Sequence, residues 1–84
     1  MYYNYVLQSK KDGKRYIGFT DDLRKRIKEH NKGLSKSTKN RRPFELIYYE
    51  ACINKKDAIE REKYFKTMWG NNYLNKRLSN FINN

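Results

Sequence analysis

The sequence predicts a small α+β domain in which a three-stranded antiparallel sheet is flanked by helices, in the order β-β-α-β-α-α. Three observations support this fold class. Two aromatic and β-branched runs surround an Asp-Gly turn, a third such run follows Pro43, and segments with capping residues and helical periodicity lie between or after them. The 84 residues suffice for one modest core, so we expect residues 1–84 to form a single domain.

The first two strands are predicted over residues 2–9 and 14–19. The Asp-Gly pair between them is a strong hairpin signal, because a tight turn needs positive φ and glycine adopts it without steric cost. Side chains alternate along a strand with a period of two. A loop with an even number of residues therefore places Tyr5 and Tyr16 on the same face of the sheet, whereas a three-residue loop would separate them.

A helix is predicted over about residues 22–32. The run Thr20–Asp22 offers N-cap side chains before it, and Gly33 supplies a stop after it. Arg26 and His30 are spaced i and i+4, so they share one flank of the narrow apolar stripe of this helix. We expect both side chains to emerge at the boundary between the core and solvent.

Residues 32–43 are polar, basic and without periodicity, so they are predicted to form a loop. Lysine, arginine, serine and threonine are the side chains that hold a nucleic-acid backbone without reading its bases. The alternative is a flexible surface loop with no ligand. The candidate phosphate contacts, which also include two residues beside the hairpin turn, are Lys14, Arg15, Lys36, Lys39, Arg41 and Arg42.

The third strand is predicted over residues 44–52, where apolar and aromatic side chains alternate. The alternation places Tyr48 on the face of Phe44 and Leu46, and Tyr49 on the opposite face. This strand completes the sheet.

A second helix is predicted from its cap, Asn54, to about Met68, shortly before Gly70. On a helical wheel Glu62 falls inside the apolar stripe of this helix, with Lys66 one turn later. A carboxylate directed at a core costs several kcal/mol unless it is paired, hydrogen-bonded or bound to a metal. Its partner is therefore Lys66, a tyrosine or a metal ion, and these alternatives stay open.

The last element is predicted as one helix over residues 71–82 that closes over the sheet. Tyr73, Leu74 and Leu78 recur there at helical spacing. Lys76 on this helix adds to the basic surface of the domain.

The charge of the chain indicates an anionic partner. The formal net charge is +11, and residues 10–42 hold thirteen lysines or arginines against four acids. Nucleic acid is favoured over a membrane surface because no basic amphipathic anchor is evident. No apolar run reaches the roughly 20 residues of a membrane span, and the N-terminus lacks the layout of a signal peptide. We expect a cytoplasmic protein with no membrane association.

The candidate site residues of the hairpin and of the first two helices have a characteristic spacing along the sequence. Tyr5 lies eleven positions before the run Tyr16-Ile17-Gly18, Arg26 and His30 follow in the first helix, and Glu62 lies in the second. This pattern resembles the GIY-YIG nuclease family, and the resemblance covers nearly the whole chain.

Two features depart from the family pattern or match it loosely. The Gly-Ile of the first family motif is Tyr3-Asn4 in this sequence. The family also keeps a late asparagine near its site, and the sequence offers Asn71, Asn72 and Asn75 without distinguishing among them.

The resemblance implies a divalent-metal-dependent endonuclease that hydrolyses DNA phosphodiester bonds, directed by DNA structure, in DNA repair or processing. By this likeness Glu62 binds Mg²⁺ or Mn²⁺, and Arg26 stabilises charge on the phosphoryl oxygens. Either Tyr5 or Tyr16 takes or relays the proton of the attacking water. His30 assists a tyrosine or orients a phosphate.

Two other functions stay open at the level of sequence. One is a non-catalytic nucleic-acid-binding protein that retains the fold, and the other is an RNA- or ribosome-associated module that stacks bases on its aromatic residues. Glu62 favours the enzyme, because a binder has no need of a core-facing glutamate. DNA is the expected partner, with RNA as the alternative. A protein partner would supply specificity, and the sequence does not set the oligomeric state.

Overall fold

The computed structural model describes residues 1–83, and Asn84, the end of the expected domain, lies outside the described residues. Three strands form an antiparallel sheet in the order β2-β1-β3, and the helices follow β2 and β3. The elements are β1 (Tyr2–Ser9), β2 (Arg15–Thr20), α1 (Leu23–Lys32), β3 (Phe44–Cys52), α2 (Lys55–Phe65), α3 (Met68–Arg77) and the short α4 (Ser79–Ile82). This architecture confirms the predicted fold class. Within residues 1–83, no helix has the length and apolar composition needed to cross a membrane.

The hairpin of β1 and β2 places the two motif tyrosines on the same face of the sheet, as predicted. The Ser9 backbone N–H donates to the Lys14 carbonyl at 2.9 Å, so this pair continues the pairing of the two strands beyond Gln8 and Arg15. The loop between Ser9 and Lys14 is residues 10–13, an even number, and Gly13 adopts a φ of 73°. Tyr5 is paired with Gly18 across the two strands. Because Tyr16 lies two positions before Gly18, it shares the face of Tyr5.

Strand β3 departs from the predicted alternation because it contains a β-bulge. Leu46 is paired with Leu7, but Tyr48 is paired with the preceding residue of β1, Val6, so Ile47 is the extra residue. The inserted residue reverses the faces of all side chains that follow it. The prediction that Tyr48 lies on the same face as Leu46 is therefore wrong.

Helix caps form where the sequence predicts the helix starts. The Asp22 side chain accepts a hydrogen bond from the Lys25 backbone N–H at 3.2 Å, and Gly33 ends α1 with a φ of 82°. Asn54 accepts from the Lys56 N–H at 2.8 Å at the start of α2. These caps satisfy backbone donors that would otherwise lack partners.

The sheet buries apolar side chains on both faces. Tyr5 and Leu7 pack against α1 on one face. Val6 packs against Phe65 of α2 and Leu74 of α3 on the other. The predicted site residues of α1 and those of α2 therefore lie on helices that pack on opposite faces of the sheet.

The chain between α2 and α3 differs from the prediction of one helix through Met68. Helix α2 ends earlier because Thr67 caps α3, accepting from the Gly70 N–H at 3.1 Å while its hydroxyl donates to a carbonyl of α2 at 2.6 Å. Gly70 lies inside α3, where an added Cβ would lie 2.6 Å from the Phe65 Cα, so this glycine permits close helix packing. The predicted closing helix over residues 71–82 is likewise two helices, α3 and α4.

Candidate active site

Three of the predicted site residues meet on the α1 face of the sheet, and we call them the tyrosine–histidine cluster: Tyr5, Tyr16 and His30. The Tyr5 hydroxyl lies 2.9 Å from His30 Nε2. The ring centroids of Tyr16 and His30 are 5.0 Å apart, and those of the two tyrosines are 6.5 Å apart. Tyr5 and His30 are buried, whereas Tyr16 remains partly exposed. Tyr16 is thus the member that solvent reaches.

His30 lies in the core and not at its boundary, so that part of the prediction is wrong. Its side chain is 0% exposed, and its Nδ1 lies 2.7 Å from the hydroxyl of Thr38, which is equally buried. Because Nε2 contacts Tyr5, both ring nitrogens have partners. Burial, together with the positive charge of Arg26, lowers the pKa of His30 to about 4, against the opposing effect of Glu29. The imidazole is therefore neutral at pH 7.

Thr38 is a site residue that the sequence analysis missed. It lies in the segment that was predicted as a polar loop, just before a 3₁₀ turn at Lys39–Arg41. Its neighbour Ser35 is also buried. The sequence held no periodic signal for these residues, because they are buried by contact with α1 and not by a regular element of their own.

The buried imidazole leads to a prediction about pH. His30 is the single histidine of the chain, so its Cε1–H resonance is assignable by inspection in an NMR titration. We expect its midpoint near pH 4, against about 6.5 in the unfolded chain. The unfolded state then binds more protons between these values, so the free energy of unfolding should fall as pH drops from about 6.5 to 4. A midpoint near 6.5 in the folded protein would contradict the burial of the ring.

Tyr5 is held as a neutral phenol. Burial raises its pKa, and the nearby Arg26 guanidinium opposes this effect without overcoming it. The negative charge of Glu62 also raises the pKa of Tyr5. The Tyr16 hydroxyl lies at the protein surface, where it accepts a hydrogen bond of 3.4 Å from the Ser37 hydroxyl.

Gly18 gives Tyr5 the space that it occupies. A Cβ added at Gly18 would lie 2.6 Å from the Tyr5 Cζ atom, closer than real Cβ contacts allow. A larger residue at position 18 is therefore excluded by the Tyr5 ring.

Arg26 stands at the edge of the cluster and is partly exposed, as predicted. Its Nη1 atom lies 3.3 Å from Glu29 Oε1, an i,i+3 ion pair on α1. It faces a surface hollow of about 450 Å³. The other residues that line this hollow are Thr20, Asp21, Asp22, Lys25 and Glu29.

Glu62 lies at the rim of the domain and not in its core, which corrects the reading from the helical wheel. Its side chain is 22% exposed, and its Oε2 lies 3.5 Å from the Nζ atom of Lys66, itself 56% exposed. An ion pair this exposed contributes about 0–1 kcal/mol. Because its charge acts on the pKa of Tyr5, Glu62 lies within electrostatic reach of the tyrosine–histidine cluster.

A second surface hollow, which we call the α3 hollow, contains Tyr16 and has a volume of about 550 Å³. Among the three candidate asparagines, Asn71 alone lines it, and its Oδ1 accepts from the Arg15 guanidinium at 3.2 Å. The remaining lining residues are Ile17, Phe65, Lys66, Thr67 and Met68. The structure thus brings Asn71 and Arg15 to the hollow of Tyr16.

The other predicted phosphate contacts differ in exposure and in the hydrogen bonds that they make within the protein. Lys14, Lys36 and Lys39 are exposed. Arg41 is engaged in an intramolecular contact, since its Nε donates to the Asp12 carboxylate at 2.9 Å. This hydrogen bond is the chief reason that the pKa of Asp12 falls to about 2. The Nε of Arg42 donates to the Lys39 carbonyl at 2.8 Å, although its side chain remains exposed.

Comparison with known proteins identifies the family. The model of the GIY-YIG catalytic domain matches residues 1–77. The chain belongs to the GIY-YIG family. The family is one of endonucleases, which generally use a divalent metal and act on nucleic acid.

Several similar proteins have been described within this family. The UPF0213 protein YazA of Bacillus subtilis is 48% identical over 65 residues, which are 76% of this chain and 65% of that protein. The UPF0213 protein CPE1444 of Clostridium perfringens is 44% identical over 75 residues, 88% of this chain and 80% of that protein. The chain thus spans about two thirds of the length of YazA. These names state no specific activity.

A solved structure supports the same family at the level of the fold. The solution NMR structure of the UPF0213 protein BH0048 from Bacillus halodurans is similar with a TM-score of 0.54 and 36% sequence identity. The similarity covers 88% of this chain and 82% of that one.

The residues of this GIY-YIG chain fit a metal held by one carboxylate. Within residues 1–83, no three histidine, cysteine, aspartate or glutamate side chains gather into a metal-binding group. Mg²⁺ and Mn²⁺ take oxygen ligands, and Mg²⁺ usually keeps several waters, so a single carboxylate such as that of Glu62 would suffice as the protein ligand. When bound, such a metal would polarise a phosphoryl oxygen and acidify a bound water. Lys66 would have to leave the carboxylate, which its exposure allows.

Proposed function

We propose that this chain is a divalent-metal-dependent endonuclease that hydrolyses DNA phosphodiester bonds, directed by DNA structure, in DNA repair or processing. The observation that carries the proposal is the tyrosine–histidine cluster, with Arg26 beside it and Glu62 within its electrostatic reach. Membership of a nuclease family supports the reaction class. Mg²⁺ or Mn²⁺ is the proposed cofactor.

The residues take different roles in this proposal. Tyr16 meets the attacking water and relays its proton, because it is the tyrosine that solvent reaches. Tyr5 is a positioning residue, held by His30 and kept neutral by burial. Arg26 has a guanidinium nitrogen engaged with Glu29, which leaves further N–H donors for phosphoryl oxygens.

The proposal is tested with labelled single-stranded, duplex and branched DNA, and matched RNA, incubated with Mg²⁺, Mn²⁺ or EDTA. We expect metal-dependent products on at least one substrate. Tyr16→Phe keeps the aromatic ring and should remove them, whereas Tyr2→Phe, outside the cluster, should not. Absence of metal-dependent product on every substrate would overturn the proposal that this chain is an endonuclease.

A non-catalytic nucleic-acid-binding protein is the second candidate, and one contact favours it. Glu62 is already paired with Lys66, so its carboxylate does not require a metal in order to be satisfied. Binding without cleavage in the same set of substrates would establish this function in place of the first.

Binding is expected to be largely electrostatic. The logarithm of affinity for duplex DNA should fall linearly with the logarithm of salt concentration, by about 0.9 for each phosphate neutralised. Replacing the exposed Lys36 and Lys39 with alanine should flatten that slope by about 1.8 if each neutralises one phosphate. The measurement is fluorescence anisotropy of a labelled duplex across a salt series.

A matched variant controls for the loss of charge alone. Lys55 and Lys56 are also exposed, and their replacement removes the same charge at the start of α2. That variant should keep the original slope. Equal slopes for the two double variants would remove the loop lysines from the contact surface. Arg41 is left intact in both variants, because its contact with Asp12 ties the loop to the hairpin.

A further inference from the structure

Two large apolar side chains stand in solvent at the first turn of α3. Trp69 is 71% exposed and Met68 is 70% exposed. They do not serve the core, since the same helix contacts it through Gly70 and Leu74. Adjacent exposed side chains of this size mark a contact surface.

These two side chains line two hollows. Met68 lines the α3 hollow, which also contains Tyr16 of the proposed site. Trp69 lines a separate hollow of about 530 Å³, which we call the Trp69 hollow. Its other lining residues are Tyr64, Asn72, Tyr73, Asn75 and Lys76. Both hollows therefore have a residue of the first turn of α3 in their linings.

The Trp69 hollow combines three kinds of group that suit one ligand. Its aromatic faces offer stacking, the Asn72 and Asn75 amides offer a donor and an acceptor each, and Lys76 offers a cation. We propose that this hollow binds an unpaired nucleobase of the strand whose phosphate lies at the tyrosine–histidine cluster. The inference rests on the proposed function and names its substrate class, a nucleic acid with an unpaired nucleotide.

Two aromatic rings that line the Trp69 hollow pack against Arg61. The Arg61 guanidinium packs 5.0 Å from the ring centroid of Tyr64 and 4.9 Å from that of Tyr73. Its charge is paired with Glu50 at 2.8 Å, which fixes its orientation. Rings that are held in this way lose little conformational freedom when a base stacks beside them.

Charge favours a nucleic acid over a second copy of this chain as the occupant. Lys76 lines the Trp69 hollow, and Lys66 and Arg15 line the α3 hollow. A second copy would bring its own net charge of +11 to this surface, and like charges brought together at an interface are repelled. A polyphosphate backbone is attracted to the same cations.

The experiment uses Trp69 itself as the probe, because it is the single tryptophan of the chain. Its fluorescence is followed in EDTA during titration with a single-stranded thymidine 20-mer, a blunt duplex of equal phosphate concentration, or heparin. We expect saturable quenching by about half with the single strand. The duplex and heparin should bind, as measured by anisotropy of a labelled protein, and leave the emission nearly unchanged. Equal quenching by heparin, or none by the single strand, would overturn the proposal.

Variants extend the test beyond fluorescence. Trp69→Ala should weaken single-strand binding by about tenfold or more, since stacking contributes substantially per base, and leave duplex binding within about twofold. Trp69→Phe, which can still stack, should restore most of the affinity. Leu34→Ala, which removes a similarly exposed side chain lining neither hollow, should change neither. Equal weakening of both ligands by Trp69→Ala would show a general contact and contradict the base-binding role.

The inference and the proposed function fail in different ways. Quenching in EDTA requires no cleavage, so a base-binding hollow would be seen even in a protein that does not cut. Sedimentation velocity tests the other occupant, a second copy. A wild-type dimer that Trp69→Ala converts to a monomer would assign the surface to self-association and overturn the proposal.

Discussion

Glu62→Gln should leave a folded protein that binds nucleic acid and no longer cuts it. The substitution keeps the shape of the side chain and removes the charge that a divalent metal requires. We expect cleavage to fall by about a thousandfold or more, the scale on which loss of a charge-stabilising group acts. Binding in EDTA should be equal to wild type or tighter, because one negative charge near the bound backbone is gone.

The structure refines what this substitution does to stability. Glu62 is paired with an exposed lysine, so the free energy of unfolding should change by less than about 1 kcal/mol. Glu60→Gln makes the same chemical change at an exposed position of the same helix and should leave cleavage intact. If folded Glu62→Gln still cuts in a metal-dependent manner, Glu62 is not the metal ligand. The tyrosine–histidine cluster would then lack the metal that the proposal places beside it.

Arg26→Lys should separate binding from cleavage. A lysine keeps one positive charge, but it lacks the planar fork that can brace two phosphoryl oxygens in the transition state. We expect the affinity measured in EDTA to stay within about threefold, because one charge is conserved, while the single-turnover rate falls about a hundredfold or more.

The neighbouring Arg24 offers the control for this change. It is exposed on the same helix, and Arg24→Lys should alter neither quantity. If Arg26→Lys reduces binding and rate by the same factor, Arg26 is an ordinary phosphate contact. If it lowers the melting temperature instead, the contact of Arg26 with Glu29 is structural, and the catalytic role is lost.

The two roles proposed for the tyrosines follow from their depth in the fold. Tyr5 is 1% exposed and contacts His30, which is itself anchored by Thr38. This chain of buried polar groups fixes the phenol without leading it to solvent. Tyr16 packs against the same imidazole, with ring centroids 5.0 Å apart, and remains partly exposed. One tyrosine of the pair is thereby oriented by the core, and the other is the one that solvent reaches.

Signals that act over a few residues could be read directly from the sequence. The even loop at residues 10–13 sets Tyr5 and Tyr16 on one face, and Asp22 and Asn54 cap the helices that carry the remaining motif residues. Each of these features depends on neighbours within one turn or one strand pair, so alternation and capping rules suffice. The positive charge, which bears on the class of partner, is likewise a property of composition.

Contacts between distant residues were decided by the tertiary structure. The bulge at Ile47 appears only when β3 is aligned with β1. The break at Thr67 follows from the packing of α3 on α2 through Gly70. The position of Glu62 at the rim likewise depends on how α2 lies on the sheet, which a helical wheel does not contain.

His30 shows most clearly the difference between what the sequence reveals and what the tertiary structure decides. Its spacing from Arg26 is visible in the sequence, but its burial requires Tyr5, 25 residues away, and Thr38, from a segment without periodicity. The sequence by itself determined the fold class, the family pattern and the positive net charge, because these arise from local order and composition. Only the tertiary structure decided which side chains are buried, paired or exposed. The reason is that β1, α1 and the loop after α1 all contribute contacts to the His30 imidazole.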